Sequence, residues 1–539
     1  VAERVASDFL ARVGGELKVM EPYEIPKPLK SIANKIMEMS SGVPSEKPVK
    51  KRSNTTLIIA IAIIVIVVVA GGVSYYEFFY PKPVSTITFY TWWSATGVVA
   101  MNHLFPYIKS QTGITIEKEI SPGGGGVNAK YAILALIEAG KPPAMFQSHG
   151  GPEMLSYVFI TPNGVKGFVN FTPYLSQWGV TAAMIPVTYD SMEFNGTALI
   201  SPSNVHQGAQ LFMNLKILKE YGLPIPNNIS TLVYDTVQLY KHGVPAWEVP
   251  YGDGGWDQLN LWEDIFLSLA GPKLYNEMTY GTINLSDPKV QALINETDNY
   301  FVNLTAPQYQ MPGEQSIAWQ TGMADLVEGK AVFTANGNWL VNYAYDFTNV
   351  TCYPAIPPYT SWSNISLMGE NFPGTQNYFA IVVDSIAVPI SSETSQALKA
   401  VRVWSSYKGS ELFDTWKASP FYENATYSMT TPACDHSYQL LKSTPENDMV
   451  YQLSDGGVFD DVMETLDSAA LTLMETGPTG IPAFNRQLAS AMQEEQAEWL
   501  EAAKLGLGYL GSFGHPFAGY YPPWVNPTNG QYIYSYKPT

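Results

Sequence analysis

An α/β fold behind a single apolar helix is what this sequence predicts, and three observations carry the prediction. From Val84 onward, stretches with the two-residue period of strands alternate with stretches showing the 3.6-residue period of helices. Alternation of that kind builds a sheet with helices on its faces. Ahead of it, residues 57–76 run for twenty positions without a charge, long enough to cross a bilayer as one helix. Charge is also unevenly divided. Of a net −18, residues 1–52 contribute +3 (ten Lys+Arg against seven Asp+Glu), which leaves −21 for the rest.

The apolar run sets the sidedness. Lys47, Lys50, Lys51 and Arg52 stand just before it, so the positive-inside rule places the N-terminus in the cytoplasm and everything from about Tyr80 outside. Residues 1–52 then read as a cytoplasmic basic leader or tail, and 53–80 as a single-pass transmembrane anchor. Two processing routes stay open. The small residues Ala70, Gly71, Gly72 and Ser74 can serve a secretory cleavage, and a pilin-like cut near Arg52–Ser53 would keep the helix. A lipid anchor is excluded, because the first cysteine is Cys352.

With 539 residues the chain can build two or more cores. An acidic outer part argues against nucleic acid, which needs clustered Lys and Arg. Charged residues are only 14 % while aromatics reach 13 %, so the surface is polar mainly through hydroxyls and amides, as suits an acidic habitat. Glycosylation sequons occur at Asn170, Asn195, Asn228, Asn284, Asn295, Asn303, Asn349, Asn364 and Asn424, whereas Asn526 is disqualified by Pro527. Nine of them on one external region favour an N-glycosylated surface protein. Cys352 and Cys434 lie on the same side, which permits a disulfide and equally permits two buried thiols.

The elements follow in order. STITFYTWW (85–93) alternates like a strand; a helical stretch runs to Lys109; ITIEKEI (114–120) is a second strand. Pro122 and Gly123–Gly126 break the chain ahead of a helix over 127–140, expected to bury Tyr131, Leu134, Ala135 and Ile137. Strand character returns at 197–204, 330–336 and 377–389, with a helical stretch at 316–326. Residues 484–506 form an amphipathic helix, the longest expected. The tail 508–527 is too rich in Gly and Pro for regular structure.

Enzyme signatures are mostly missing: there is no G-x-S-x-G, no H-E-x-x-H and no G-x-x-x-x-G-K-[ST]. The six histidines show no metal-ligand spacing, and Asp253-x-x-x-Asp257 has Gln258 where a calcium loop turns on glycine. No cofactor and no metal are expected. Aromatic and amide side chains at strand ends and loops are the conspicuous chemistry. Sugars present apolar C–H faces and a rim of hydroxyls, so their sites combine indole plates with Asp, Asn, Gln and His. Trp92 and Trp93 end the first strand, where open α/β sheets bind ligands; one can stack on ligand while the other packs in the core. Gln147 and His149 are two apart and share a face, with a purely structural hydrogen-bonding histidine as the bland alternative. Glycines place Trp256 at the head of a helix, which favours a site, while Trp262 within that helix reads as core.

Taken together, FYTWW, TGITIE, NAKYAILALIEAGKPP, FQSHGGPEM, NVHQGA, GDGGWDQLNLWE, ANGNW, FPGTQNYFAIVVDSIAVP and YQLSDGGVFDD resemble the archaeal membrane-anchored glucose-binding proteins, the extracellular solute-binding components (family 1) of ABC sugar importers. The resemblance runs from about Trp92 to Trp524. It implies a two-lobed periplasmic-binding-protein-like fold of type II, with lobe 1 built from 84–203 and 384–435 and lobe 2 from 204–383 and 436–539. It implies glucose or another small neutral sugar as ligand, ABC permease subunits as partners, and no enzymatic activity. The matching cleft positions are Trp92, Trp93, Gln147, His149, Asn204, His206, Trp256, Asn338 and Trp339, with Asp384 and Asp455 near the hinge or cleft. Two departures remove charge: Ala144 stands where relatives carry Asp, and Asn338 where they are often acidic. Two rival readings are a cell-surface glycoside hydrolase using carboxylates among Asp257, Glu263, Asp460 and Asp461, and a structural surface or filament protein.

Overall fold

The computed structural model describes residues 86–340, 366–427 and 432–533. The apolar run 57–76, Cys352, Asn349 and Asn364 lie outside them. Among the described residues no helix is long and apolar enough to cross a membrane.

The first strand, β1 (Thr86–Thr91), buries Ile87, Phe89 and Thr91 on one face, as the alternation demands. β2 (Thr115–Ile120) and β3 (Met145–His149) pair parallel with it, reached through the helices Thr96–Thr112 and Val127–Glu138. β4 (Glu193–Phe194) and β5 (Thr197–Ala198) are short; β6 (Ile200–Gln207) and β7 (Gln210–Met213) follow almost continuously. β8 (Phe333–Asn336), β9 (Ser366–Asn371), β10 (Phe379–Ala387), β11 (Met449–Tyr451), β12 (Gly511–Ser512) and β13 (His515–Pro516) complete the described strands.

Three sheets result. The largest has the order β11-β10-β3-β1-β2, with β6 antiparallel along β10. A second is antiparallel with β7 between β8 and β9, and a third runs β13-β12-β4-β5. The chain changes from the large sheet to the second at Gly208-Ala209 and returns over 372–378, where Gln207 Nε2 donates to Asn371 Oδ1 at 3.0 Å. The lobe limits read from the sequence, 203/204 and 383/384, fall inside β6 and β10. The first crossing is strained: Ala209 has φ 50°, a conformation costing an L-residue about 1–2 kcal/mol. A side chain at 208 would have to displace the Gln452 amide, since a Cβ there would lie 1.5 Å from its Oε1.

One expectation needs correction. Helix Val127–Glu138 does not bury Tyr131 and Ala135; Tyr131 is 54 % exposed, and the inward face carries Ala129, Lys130, Ile133 and Ile137. Lys130 can occupy a core position because Glu153 and Asp460 receive its ammonium at 2.7 and 2.9 Å. Helix Ile481–Lys504 runs unbroken for 24 residues, whereas the stretch Trp256–Thr279 is two helices that meet at a kink, with Gly271 at φ 74° and ψ 172° ahead of Pro272. The Gly- and Pro-rich tail supplies only β12, β13 and turns, and it buries Trp524. A small apolar cluster stands apart from the main core and includes Phe212, Trp256, Trp319, Met323, Trp339 and Val382.

Candidate functional site

A cavity of about 60 Å³ opens where the ends of β1, β3 and β6 and the middle of β10 meet residues that flank the second sheet. Trp92, Trp93, His149, His206, Val382, Asp384 and Lys417 face it from one side; Trp256, Trp319, Gln320 and Trp339 face it from the other, with Gly123, Gly125 and Asp455 closing the wall. Of the eleven residues singled out by sequence, eight line this cavity. Gln147, Asn204 and Asn338 are buried behind it. Gln147 and Asn338 hold lining residues, whereas the Asn204 side chain reaches, among the described residues, only Ser203 Oγ, at 3.5 Å.

The five indoles occupy positions that local sequence explains. β1 ends at Thr91, so strand alternation no longer governs the residues after it. Thr91 Oγ1 accepts the backbone N–H of Trp93 at 3.0 Å and turns the pair inward. Trp93 packs on Phe89, Trp404 and Phe413 while its Nε1 donates to Asp384 Oδ2 at 3.1 Å. Trp92 is half-buried and meets His149 edge-on at 5.0 Å. Trp256 begins its helix after Gly255, whose φ of 111° suits only glycine. Trp319 and Trp339 sit 6.1 and 5.9 Å from it, centroid to centroid. Trp262 is fully buried elsewhere and reaches Asp298.

Asp384 is the hub of the polar wall. Gln147 Nε2 donates to its Oδ1 at 3.0 Å, and Lys417 Nζ lies 3.2 Å from its Oδ2. Burial by itself would raise this carboxyl, but the Lys417 ammonium overrides it and holds it well below the usual range. His206 is pushed down to about 4, first by burial and then by Lys417. Its Nδ1 donates to Asn338 Oδ1 at 2.7 Å, leaving Nε2 to accept from Lys417 Nζ at 2.6 Å. The ammonium therefore bridges a neutral imidazole and an ionised carboxylate.

A second charge chain runs beneath Trp92. His149 Nδ1 donates to Glu153 Oε2 at 2.7 Å, and Glu153 also takes Lys130 at 2.7 Å. Burial opposes ionisation of Glu153, yet Lys130 and His149 bring it down to about 2. Burial likewise opposes protonation of His149, and Glu153 more than restores it, so its value lies above normal. Asp455 is raised to about 6, chiefly by burial, and accepts from Trp256 Nε1 at 3.2 Å. Acids and bases around the cavity are thus matched, and no excess charge awaits an ion. Trp339 Nε1 and Asn338 Nδ2 have no hydrogen-bond partner among the described residues, donors that a hydroxylated ligand can satisfy.

Sequence reasoning missed Lys417, Trp319 and Gln320. Lys417 closes the helix Tyr407–Lys417 as an ordinary C-terminal lysine does, so no local signal marks it. Trp319, like Trp256, heads a helix, and that repetition is a usable sign. Gly123–Gly126, expected only to break the chain ahead of a helix, also form a wall. A Cβ on Gly126 would lie 2.5 Å from Trp92, and one on Gly125 3.0 Å from Trp256. Of the carboxylates considered for hydrolysis, none lines the cavity; Asp257 takes Asn336, Glu263 takes Ser454 and Leu453, and Asp460 takes Lys130.

Residues 98–402 match the family model described as bacterial extracellular solute-binding protein. The glucose-binding protein of Saccharolobus solfataricus is 54 % identical over 444 residues, which is 82 % of this chain and 80 % of that protein. Among solved structures, a bacterial solute receptor with preference for b-D-galactopyranose is 13 % identical with a TM-score of 0.63, covering 76 % of this chain and 99 % of its own. A chitin oligosaccharide binding protein is 15 % identical with a TM-score of 0.62, covering 77 % and 100 %. These likenesses show a mixed α/β two-lobed fold of the kind sugar-binding proteins use. The chain belongs to the extracellular solute-binding protein family.

Proposed function

We propose that this protein captures glucose or a closely related neutral monosaccharide outside the cell and delivers it to the permease of an ABC importer. The observation that carries the reading is the cavity itself: five indoles around a charge-balanced polar wall with donors left unpaired. Its volume of about 60 Å³ admits roughly four to six water molecules, the bulk of one sugar ring rather than of an oligosaccharide. The name of the Saccharolobus relative supports glucose in particular. In this reading the fold is of type II, the two lobes close on the sugar about the crossings at 208–209 and 372–378, and the permease recognises the closed form. Residues 57–76 hold the protein at the membrane with its N-terminus in the cytoplasm, the exposed sequons carry glycans, and Cys352 and Cys434 share the external side.

Calorimetry of the full chain against a panel of neutral sugars tests the proposal. Glucose or a close epimer should bind, and Trp256→Ala or Trp92→Ala should weaken it on the order of tenfold or more while the fold persists, because each removes an aromatic face. Unchanged affinity in both variants would refute the site. Appearance of a hydrolysis product on overnight incubation with oligosaccharides would favour the glycosidase reading instead.

A further inference from the structure

Asp253 does not line the cavity, yet it ties two of the cavity's walls. Its Oδ1 accepts the backbone N–H of Gly124 at 3.0 Å, and its Oδ2 accepts that of Trp319 at 2.7 Å. Gly124 belongs to the loop after β2, in the large sheet; Trp319 heads the helix that packs beside β8, in the second sheet. The approach is close because the sequence leaves room for it. A Cβ on Gly124 would lie 2.6 Å from the Asp253 Cβ, so any other residue would hold the loop off. The same loop continues through Gly125 and Gly126 against Trp256 and Trp92, the indoles on opposite sides of the cavity.

We propose that Asp253 is the closure latch of the binding site: one carboxylate that joins the glycine loop to the Trp319 helix only when the indole walls have come together, and so slows escape of the sugar without touching it. The latch rests on the sugar-capture reading of the same cavity. The bond to Trp319 lies within lobe 2 and holds the carboxylate in place, while the charge-assisted hydrogen bond to Gly124 crosses the cleft, so that it forms in the closed state, is absent in the open one and deepens the closed well. Loss of such a bond therefore acts on dissociation rather than on encounter.

The test is stopped-flow indole fluorescence of the detergent-solubilised full chain with glucose, comparing wild type with Asp253→Ala, Asp253→Asn and Gly124→Ala. Asp253→Ala should raise the dissociation rate roughly tenfold to a hundredfold and leave the association rate within about threefold. Asp253→Asn keeps one acceptor oxygen and should fall between. Gly124→Ala attacks the same contact from the other side with the carboxylate intact, so it should reproduce the faster dissociation even if Asp253→Ala unfolds. Dissociation within threefold of wild type in both Asp253→Asn and Gly124→Ala would overturn the latch while leaving sugar capture standing. Absence of sugar binding by the wild type would overturn the functional reading, and the latch with it.

Discussion

Replacing Lys417 by methionine strikes the polar wall where it is least able to adjust. The ammonium lies 3.2 Å from Asp384 Oδ2 and 2.6 Å from His206 Nε2, and Asp384 is 2 % exposed. Methionine keeps most of the volume and deletes the charge, so a buried carboxylate loses its cation. Breaking a buried pair in this way costs about 3–5 kcal/mol; the donors left on Asp384, from Trp93 and Gln147, favour the lower end. At about 2–4 °C per kcal/mol for a unit of 150–250 residues, melting at pH 7 should fall by about 6 °C or more. The pH dependence should change as well. In the wild type His206 titrates at about 4 when folded and near 6.5 when unfolded. Between those values the unfolded chain binds more protons, so stability falls as pH drops through the window, by about 3 kcal/mol from this group. Without Lys417 the second cause of that depression is gone, and a protonated His206 can partner Asp384. The variant should therefore lose less than the wild type between pH 7 and pH 4.5. Calorimetric melting across this range is the assay. A Lys417→Met variant that melts within 2 °C of wild type at pH 7, or that keeps the wild-type slope, refutes the account of the wall.

Lys130→Met should cost a similar 3–5 kcal/mol, since it strips the cation from both Glu153 and Asp460; chemical unfolding that shows under 1 kcal/mol would contradict it. Glu248, raised by burial to about 8, has neither carboxylate oxygen hydrogen-bonded among the described residues. Its folded value exceeds the unfolded one, so its contribution is fully present below pH ~4 and is lost as pH rises toward 8. Glu248→Gln should accordingly stabilise the protein at pH 8 and leave it unchanged at pH 4, as read by melting at the two pH values. Asn195 is half-buried, its Nδ2 donating to Gly506 O and Tyr532 OH, each at 3.2 Å, and its Oδ1 accepting from Tyr509. Glycopeptide mass spectrometry should find it unmodified, with glycans confined to exposed sequons such as Asn170, Asn284 and Asn303.

How much is legible in the sequence depends on the range of the interaction. Trp256 can be placed because its signal is local: three glycines, one aromatic, then a helical period. The strand at 379–387 is legible for the same reason. Lys130 is not, since a lysine in an apolar helix reads as solvated until Glu153 and Asp460 are brought to it. Asp253 reads from its neighbours only as part of a failed calcium loop, and its two backbone partners lie 129 and 66 positions away. Lys417 is 33 residues from Asp384 and 211 from His206, so no window of sequence holds the bridge.

The sequence by itself determined the α/β class, the order of its first strands and helices, the aromatic and amide character of the site, and the family its motifs resemble. These follow from side-chain periods and from residue types grouped within a few positions. Tertiary structure alone decided which indoles share a cavity, which carboxylate is held ionised and which histidine neutral, and which glycines are walls rather than joints. Those properties come from desolvation and from charges meeting across β6, β10 and the helices around them. Such encounters exist only once the chain has passed from the large sheet to the sheet of β7, β8 and β9 and back.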